Sequence, residues 1–589
     1  MTDRIDSRVR VRALKVGAPL LLAFLVLIGR LFQMQVLVSE EYALRAEENR
    51  VRPERIVALR GRIFDRNGTV LADSRPSFRV SVVPYLMRKD GAVLDRLGSL
   101  IGVPRELLAE RAEEGASRPY APTPVVRDVD ITTVSLIEEH GYLLPGVFVE
   151  SEPVRLYPRA ALAAHTIGYV GEVTQEEIDH SEDGGYAVGT RVGRGGIERA
   201  YDAKLRGRDG VRYIQEDARG RPLGTLRETE PVPGEDLVLS LDADLQEHAE
   251  SLLAAEGAGA LVVIDPRSGE VLALASWPTV DPNILSVSIP VALWDSLTSD
   301  SLHPLIHRAI QATFPPGSTF KPITAATGLT EGIVDPGTRL LPCFGSYRFG
   351  RRVFHCWEEE GHGSLTLVPA MARSCDVYFY QIGAKMDLDR FAQIARGFGF
   401  GRPAGIDLPG EKGGLVPSME YMNRRYGRSG WGRGHLLNHS IGQGEILANP
   451  LQIAQLYGAL GTGKLARPHL LIQSVDLGGN RTEFGSGGSE PLPIPPEVLR
   501  PIREGLVAVV QGERGTGRAA RVPGTAVAGK TGTAENPHGE DHAWFAAWAP
   551  AEDPHIALAV IVENAGHGGE IAAPMAGSLL RYIFTRGGV

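Results

Sequence analysis

Short apolar runs bounded by turn residues recur along this chain of 589 residues, and each of them predicts a β-strand. Residues 260–265 and 270–275 flank a Pro-Arg-Ser-Gly turn and predict one strand pair. Residues 543–548 and 555–563 predict a second pair, and residues 572–585 have the pattern of a helix. Because helical patterns lie between the two pairs, the order predicts an antiparallel sheet flanked by helices.

The first half of the chain has a different pattern. Residues 60–72 alternate apolar and polar side chains around an Asn-Gly pair, which predicts a β-hairpin. Asp65 and Arg66, beside that turn, are expected to brace the hairpin rather than to perform chemistry. Residues 220–235 are rich in Gly, Pro and charged residues and predict a linker, whereas residues 419–434 show no apolar period and predict a loop.

The N-terminus predicts a membrane anchor. Five basic residues precede an apolar run at residues 16–29: Arg4, Arg8, Arg10, Arg12 and Lys15. The run becomes long enough to span a bilayer when it continues to residue 38, with Arg30 reaching the far interface. A cleaved signal peptide is the alternative, but no small-x-small cleavage site follows the run. We therefore expect a single-pass anchor at residues 16–38 in the inner (cytoplasmic) membrane, with residues 1–15 cytoplasmic and the bulk of the chain periplasmic or extracellular.

Length and charge narrow the function classes. A chain of 589 residues is too long for one core and predicts two to four domains. Its net charge of −9, without a long basic tract, argues against nucleic acid as the main partner. Residues 524–531 match the phosphate-binding loop pattern letter for letter, but Gly532 and Pro537 would break the helix that such a loop requires. We therefore expect no nucleotide.

Ser318 and Lys321 form an S-x-x-K pair behind a Pro-Pro-Gly turn. A serine hydroxyl is a poor nucleophile unless a base lies beside it, and a lysine three residues further along a helix lies on the same side. The turn predicts a helix that begins at the serine, and Pro322 is tolerated only in a first turn. At such a position, backbone N–H groups and the helix dipole favour developing negative charge.

Two further motifs follow in order, Ser374-Cys375-Asp376 and Lys530-Thr531-Gly532-Thr533. The set of S-x-x-K, an S-x-N-type triplet and K-T-G is shared by penicillin-binding proteins and class A β-lactamases. The chain therefore resembles a penicillin-binding protein. Asp376 stands where Asn is commoner in that superfamily.

Residues 60–72, 193–199 and 205–207 resemble pedestal signatures of the class B members of the family. The resemblance implies an α+β multidomain chain: a pedestal (dimerisation) domain at residues 39–235, with a head at about 84–150, and a penicillin-binding transpeptidase domain at residues 236–589. The pedestal is expected to be β-rich, and the transpeptidase domain an antiparallel sheet flanked by helices.

The resemblance also implies roles for the catalytic residues Ser318, Lys321, Ser374 and Lys530. Ser318 is expected to be the nucleophile and Lys321 its proton acceptor. Burial beside a second cation, Lys530, would make that amine partly neutral. Ser374 would pass the proton to the leaving amine. The catalytic lysine of this superfamily is disputed in general, so its role is a hypothesis here.

Substrate binding is expected to involve Asp376, Thr531, Gly532 and Thr533. Asp376 would complete the hydrogen-bond network, and the two threonines would hold the substrate's terminal carboxylate. The main-chain N–H groups of Ser318 and Thr533 would form an oxyanion hole. Gly532 leaves a strand edge bare enough for an extended peptide to add to it.

The three cysteines lie close together in sequence, and with one histidine they form the spacing C-x12-C-x5-H-x12-C: Cys343, Cys356, His362 and Cys375. An oxidising compartment favours a disulfide between the first two, which leaves the third unpaired. A Cys3His zinc site uses all four residues, and some elongation-type members of the family place zinc there. We favour a structural Zn²⁺ over a disulfide or free thiols. His355 is an alternative ligand, although a surface histidine is the simpler interpretation.

The chain is thus most like the elongation-type subfamily, penicillin-binding protein 2. We expect a serine-type D-Ala–D-Ala transpeptidase that cross-links peptidoglycan stem peptides, maintains cell shape and is inhibited by β-lactams. The resemblance implies a membrane SEDS-type glycosyltransferase and other elongation-complex proteins as partners. The alternatives are a division-type transpeptidase, a D,D-carboxypeptidase or β-lactamase, and a non-catalytic scaffold that activates a glycosyltransferase.

Overall fold

The computed structural model describes residues 3–34, 51–114, 119–120, 122–180, 186, 189–216, 222–287, 289–485, 487–536 and 539–586. The chain divides into two compact units that interleave in sequence. The first unit comprises Met1–Leu59 and Gly207–Pro233, and the second comprises Arg60–Arg206 and Gly234–Val589.

The first unit begins with the helix Asp3–Phe32. Its segment Lys15–Phe32 is long and apolar enough to cross a membrane, and its side chains are exposed. A helix of this length and composition is what the predicted anchor requires at residues 16–32. Residues 35–38 of the predicted anchor lie outside the described residues.

A three-stranded antiparallel sheet completes the first unit, with Gly210–Glu216 between Val51–Ile56 and Pro222–Thr229. The segment predicted as a linker, residues 220–235, therefore contains an edge strand, although residues 220–221 lie outside the described residues. Gly224 pairs with Gln215, next to an irregularity in the strand register. An edge strand tolerates such glycines and prolines, so composition alone misrepresents this segment.

A mixed six-stranded sheet in the second unit joins distant parts of the chain. Its strands, in spatial order, are Arg481–Glu483, Leu471–Val475, Asp236–Leu239, Ile63–Phe64, Val70–Arg75 and Val154–Leu156. The hairpin predicted at residues 60–72 forms, because Ile63–Phe64 pairs antiparallel with Val70–Arg75. Asp65 braces it as expected: one oxygen accepts from the main-chain N–H of Asn67 and Thr69, and the other from Ala243.

Residues 78–151 have a separate apolar core and a sheet in which Phe78–Val82 lies between Thr123–Val129 and Val147–Ser151. Their helices are Pro84–Lys89, Ala92–Ile101, Arg105–Glu114 and Ile131–Glu139, followed by the 3-10 helix Gly141–Leu143. Further along the chain, the strands Val170–Glu172 and Arg191–Gly193 pair with each other. The short helices of this segment are Ala164–Ile167, Gln175–Asp179, Gly196–Ala200 and Asp202–Leu205.

The large C-terminal part contains an antiparallel five-stranded sheet, as the sequence predicts. Its strands, in spatial order, are Val271–Trp277, Gly259–Ile264, Ile556–Val562, His542–Ala549 and Ala528–Ala534. Two antiparallel strand pairs stand apart from this sheet: the hairpin of Ser346–Phe349 with Arg352–His355, and the pair of Lys464–Ala466 with Ser489–Pro491, between which two other strands lie in sequence. The last strand of the sheet, Ala528–Ala534, is called the edge strand below.

Helices cover both faces of this sheet and build the remainder of the core. In chain order they are Ala243–Glu256, Pro282–Leu285, Val291–Ser299, Arg308–Gln311, Gly317–Phe320 (3-10), Lys321–Thr330, Leu367–Ala372, Asp376–Gly383, Leu388–Gly397, Met419–Tyr426, Arg433–His439, Pro450–Thr462, Pro496–Gln511, Arg518–Ala520 (3-10) and Ala572–Thr585.

The prediction of a loop at residues 419–434 is wrong over the first half of that segment, where the helix Met419–Tyr426 forms. The Ser418 side chain caps that helix by accepting from the main-chain N–H of Tyr421. Met422 is its one buried residue. A single buried side chain gives no visible apolar period, which is why the pattern did not predict a helix.

Glu250, in the helix Ala243–Glu256, makes folding of the second unit sensitive to pH. Its carboxylate accepts from the main-chain N–H of Ala163 and from the Gln246 amide, both at 2.8 Å. Burial raises the pKa of Glu250 to about 7. Below pH 4.5 the Glu250 carboxyl is protonated in both the folded and the unfolded chain, so it does not change the free energy of unfolding. As pH rises from about 4.5 to 7, the unfolded chain releases this proton while the folded chain retains it, and the free energy of unfolding falls.

We expect Glu250→Gln, which keeps both hydrogen bonds, to stabilise the protein at pH 8 by on the order of 2–3 kcal/mol and to have little effect near pH 4. Thermal unfolding measured across that pH range tests this. The exposed Glu256, at the end of the same helix, supplies the control, because Glu256→Gln should leave the pH dependence unchanged. Equal effects of Glu250→Gln at both pH values would contradict the assignment.

Candidate active site

Ser318 lies half-buried on the 3-10 helix Gly317–Phe320, which runs directly into the helix Lys321–Thr330. Pro322 occupies the first turn of that second helix, as predicted, where a missing N–H costs nothing. The remainder of the first segment and residues 321–328 of the second are buried. The sequence Pro-Pro-Gly-Ser therefore delivers the serine hydroxyl to the surface of a cleft from a rigid helix start.

Glycines allow the start of this helix to lie against the edge strand. Gly317 has a φ of +53°, and a Cβ there would lie 2.6 Å from the carbonyl oxygen of Thr533. A Cβ at Gly532 would lie 2.9 Å from the Thr319 side chain. Side chains at either glycine would push the strand away. The two glycines thus bring the main chain on both sides of Ser318 into contact with the K-T-G motif.

Both motif lysines meet at one serine hydroxyl. Lys321 Nζ donates to Ser374 Oγ at 3.0 Å, and Lys530 Nζ donates to the same oxygen at 2.8 Å. Both lysines are fully buried, with 0% of each exposed. Each amine also donates to a main-chain carbonyl, Lys321 to Ser374 and Lys530 to Thr531. Three motifs that are far apart in sequence therefore converge on one hydroxyl.

Asp376 distinguishes the two amines electrostatically. Its Oδ1 accepts from Lys321 Nζ at 2.8 Å, which makes a buried ion pair. Lys530 has no such partner among the described residues. Burial, followed by the positive charge of Lys321, holds the pKa of Lys530 well below its ordinary range, although Asp376 opposes this shift. Lys530 is therefore the amine for which the neutral form is favoured.

The edge strand contributes two threonines, Thr531 and Thr533. Thr531 Oγ1 and Thr516 Oγ1 share a hydrogen bond of 2.7 Å. Thr533, two residues further along, is half-buried, and its carbonyl accepts from the Gln443 amide at 3.4 Å. Because Thr531 and Thr533 alternate with Gly532 along a strand, their side chains lie on the same face. Gly532 lies on the opposite face, where a Cβ would be 2.9 Å from the Thr319 side chain.

The edge strand also excludes the phosphate-binding loop interpretation of residues 524–531. Lys530 lies inside the strand Ala528–Ala534, and its amine is enclosed by Ser374 and Thr531. A phosphate-binding loop needs a helix immediately after its lysine, with the amine free to reach a phosphate. The strand that carries this lysine begins at Ala528.

A second cluster lies beside Ser374. The side chains of Cys343, Cys356, His362 and Cys375 are all buried, and their ligand atoms lie within 4.8 Å of one another. His362 Nδ1 is 3.6 Å from Cys343 Sγ and 3.5 Å from Cys356 Sγ. All three cysteines are free, so the structure has no disulfide between the first two. The arrangement can hold a metal ion.

The thiols of this cluster share their protons unequally. A hydrogen bond with Cys375 lowers the pKa of Cys356 well below its ordinary range. The same hydrogen bond, together with burial, raises the pKa of Cys375 above its ordinary range. A thiolate and a histidine nitrogen within a buried pocket are suitable ligands for a soft or borderline cation.

Several residues that support the site were not singled out from sequence. Gly442 accepts a hydrogen bond of 3.0 Å from the main-chain N–H of Gly317, and a Cβ at Gly442 would lie 2.2 Å from the Gly317 oxygen. Gln443 follows it and contacts Thr533. Both lie in residues 438–444, a stretch that resembles a family segment beside the active site, with a Gly-containing turn as the equal alternative. Trp357 and Thr516 had no sequence signal, because they act through main-chain or local hydroxyl contacts.

Comparison with known proteins agrees with this geometry. Residues 259–581 match the family described as "Penicillin binding protein transpeptidase domain", and residues 55–239 match "Penicillin-binding Protein dimerisation domain". The "Peptidoglycan D,D-transpeptidase MrdA" of Acinetobacter baumannii is 34% identical, with 96% of this chain and 86% of that protein covered. The chain belongs to the penicillin-binding protein transpeptidase family.

Two solved structures extend the similarity to the whole fold. Penicillin-binding protein 2 of Helicobacter pylori, in complex with MreC, has a TM-score of 0.80 at 29% identity, covering 91% of this chain and all (100%) of that one. A chain from "Structural coordination of polymerization and crosslinking by a peptidoglycan synthase complex" has a TM-score of 0.71 at 32% identity, covering 97% of each chain. The chain is thus an elongation-type, serine D,D-transpeptidase, as the motifs implied.

Asp376 provides a pH test of the amine pair. Its negative charge raises the pKa of Lys530, so Asp376→Asn should lower that pKa further. A neutral amine would then persist at lower pH, and the acid limb of the pH profile for acylation should move to lower pH. The rate of acylation by a fluorescent penicillin between pH 5 and 9 measures this shift. The exposed Asp295, replaced by Asn, should leave the profile in place, whereas an upward shift in Asp376→Asn would refute the argument.

Proposed function

We propose that the chain cross-links peptidoglycan stem peptides during cell elongation through an acyl-enzyme on Ser318, and that β-lactams inhibit it by acylating the same oxygen. The observation that carries this proposal is the meeting of Lys321 and Lys530 at the Ser374 hydroxyl. Two buried amines that share one hydroxyl are suited to general acid–base catalysis, in which they accept a proton from a neighbouring nucleophile and return it.

The reaction proceeds in two acyl transfers on Ser318. In the first, its Oγ attacks the carbonyl carbon of the D-Ala–D-Ala peptide bond, the C–N bond breaks, and D-alanine leaves with a proton. In the second, the amine of a neighbouring stem peptide attacks the serine ester, a new peptide bond forms, and Ser318 recovers its hydroxyl proton. The ester conserves the energy of the broken peptide bond, so no nucleotide is required.

The amine pair accepts the proton of Ser318. Lys321 lies one turn from Ser318 and forms an ion pair with Asp376, whereas the pKa of Lys530 is held below its ordinary range. Lys321 can therefore take the Ser318 proton as it passes its own to Lys530 through the Ser374 hydroxyl, which bonds both amines. In the reverse direction, Ser374 gives a proton to the leaving D-alanine. The acceptor is then the pair rather than Lys321 alone.

The substrate binds along the edge strand. Gly532 leaves that strand open to an added peptide, while Thr531 and Thr533 present hydroxyl groups for the terminal carboxylate. The main-chain N–H groups of Ser318 and Thr533 form the oxyanion hole, since the glycine contacts bring their segments together. Removing one such donor typically slows acyl transfer by about 100- to 1,000-fold.

We infer the domain roles from the same resemblance. Residues 39–235 form the pedestal, with the head at about 84–150, and residues 236–589 form the transpeptidase domain. Residues 16–38 anchor the chain in the inner membrane, with residues 1–15 in the cytoplasm and the catalytic part on the periplasmic side. The exposed apolar helix segment Lys15–Phe32 supports the anchor, and the basic residues before it support the orientation.

The comparisons support a place in an elongation complex. The similar Helicobacter pylori protein is in complex with MreC, and the second similar chain belongs to a peptidoglycan synthase complex. We infer that this chain likewise acts with a SEDS-type membrane glycosyltransferase and a scaffold of the MreC kind. A transpeptidase placed beside a polymerase receives its stem peptides at high local concentration.

A structural zinc ion fits the cysteine cluster. Zn–S bonds of about 2.3 Å and Zn–N bonds of about 2.0 Å place adjacent tetrahedral ligands roughly 3.5–3.8 Å apart. The His362 Nδ1 distances of 3.6 and 3.5 Å to Cys343 and Cys356 match that spacing. When bound, the ion would tie Cys375, and with it the Ser374 turn, to the loop carrying the other ligands. It takes no part in the acyl transfer.

Metal analysis tests this site. Purified protein should contain about one zinc per chain, and exhaustive chelation should remove it with a loss of thermal stability. His362→Ala should lose the metal, whereas His355→Ala, at the exposed histidine of the same loop, should retain it. Stoichiometric zinc in His362→Ala, or none in the unmodified protein, would remove this part of the proposal.

Labelling tests the nucleophile. Fluorescent penicillin should form one lasting adduct per chain, and peptide mapping should place it on Ser318. Ser318→Ala should lose at least 1,000-fold in labelling rate. Ser296→Ala, at an exposed serine on the helix Val291–Ser299, should label normally. Rapid turnover of penicillin instead of an adduct would favour a β-lactamase, and persistent labelling of Ser318→Ala would exclude Ser318 as the nucleophile.

A further inference from the structure

Ser374 adopts a backbone conformation that serine rarely uses. Its φ is +54°, in the left-handed region that favours glycine. A residue remains in that region only where its surroundings over-determine it, and such residues concentrate at functional sites. Here the conformation turns the chain so that Ser374 Oγ reaches Lys321 and Lys530. Whatever holds this turn also fixes the meeting point of the two amines.

Trp357 brackets the turn from both sides. Its main-chain N–H donates to Asp376 Oδ2 at 3.1 Å, two residues after Ser374. Its indole Nε1–H donates to the main-chain oxygen of Arg373 at 3.1 Å, one residue before Ser374. One residue from a distant segment thus holds the chain on each side of the strained position.

Contacts of its own and of the two preceding residues hold Trp357 in place. Trp357 follows Cys356, whose main-chain N–H donates to the Gly345 oxygen at 2.8 Å. The Tyr380 hydroxyl donates to the oxygen of His355 at 3.1 Å. The indole meets the His362 ring edge-on at 5.5 Å between centroids. Contacts on three sides therefore fix the position of the tryptophan relative to the helix that begins at Asp376.

Burial does not explain a tryptophan at this position. The side chain is 56% exposed, so its ring adds little to the core, while its one polar atom bonds the chain beside Ser374. Phenylalanine would fill the same space without the indole donor. The chemically specific part of this residue is thus the hydrogen bond to Arg373.

We propose that Trp357 is a positioning residue for the transpeptidase reaction, holding Ser374 in its left-handed turn so that its hydroxyl stays between Lys321 and Lys530. The inference deepens the proposed function and rests on the proton-transfer role given there to Ser374. Without the indole bond, the turn can relax towards commoner conformations, and the hydroxyl leaves hydrogen-bond reach of the amines. Ligand binding along the edge strand is unaffected, because Trp357 touches none of it in the described contacts.

The test compares Trp357→Phe with two controls, Trp294→Phe at another exposed tryptophan and Phe344→Ala at an exposed ring in the same loop. The acylation rate constant at saturating fluorescent penicillin and the dissociation constant for the prior complex are measured separately. Trp357→Phe should lower the rate constant by about three- to tenfold and change the dissociation constant by less than about twofold. Melting temperature and zinc content should match those of the unmodified protein, and both controls should acylate normally.

Three results would overturn the proposal: an unchanged rate constant, a loss confined to the dissociation constant, or a rate loss that accompanies zinc loss or a lower melting temperature. The last would mean that Trp357 acts through folding of its loop. Ser318→Ala assayed in parallel separates the two levels of argument. If Ser318→Ala still labels, the proposed function fails; if it does not label and Trp357→Phe reacts normally, the positioning role alone fails.

Discussion

The site depends on two lysine amines that are fully buried around one serine hydroxyl. Charged amines at this depth repel each other and lose their hydration, so the pair favours carrying fewer than two positive charges. Asp376 decides the distribution, because it pairs with Lys321 while Lys530 carries the lowered pKa. The consequence is that burial and the neighbouring amine disfavour a second positive charge beside Ser318.

Such a site requires main chain to approach main chain closely. Gly317, Gly442 and Gly532 stand where three segments meet: the start of the nucleophile helix, the 438–444 segment and the edge strand. A Cβ at any of these three would lie within 3 Å of an atom from another segment. The glycines therefore set the distances within the cleft, while the lysines set its electrostatics, and neither group substitutes for the other.

Local sequence rules predicted much of the fold. The hairpin around Asn67-Gly68, the sheet strands and the final helix follow from turn residues and apolar patterns. The predictions failed where backbone pairing or one buried contact overrides composition, as in the strand Pro222–Thr229 and the helix Met419–Tyr426. Pairing with Gly210–Glu216 satisfies the backbone of the first segment, and Met422 anchors the second. Neither cause is visible within a short window of sequence.

The sequence by itself supplied the candidate reactive groups, because S-x-x-K, S-x-D and K-T-G are typical of penicillin-binding proteins, and the Cys-x12-Cys-x5-His-x12-Cys spacing is typical of a metal-ligand set. It also determined that Ser318 begins a helix, since Pro-Pro-Gly and Pro322 allow little else. Only the tertiary structure decided which lysine pairs with Asp376, which main-chain groups touch, and that Trp357 spans the Ser374 turn. These depend on burial and on distances between segments far apart in the chain, and local periodicity carries no information about either.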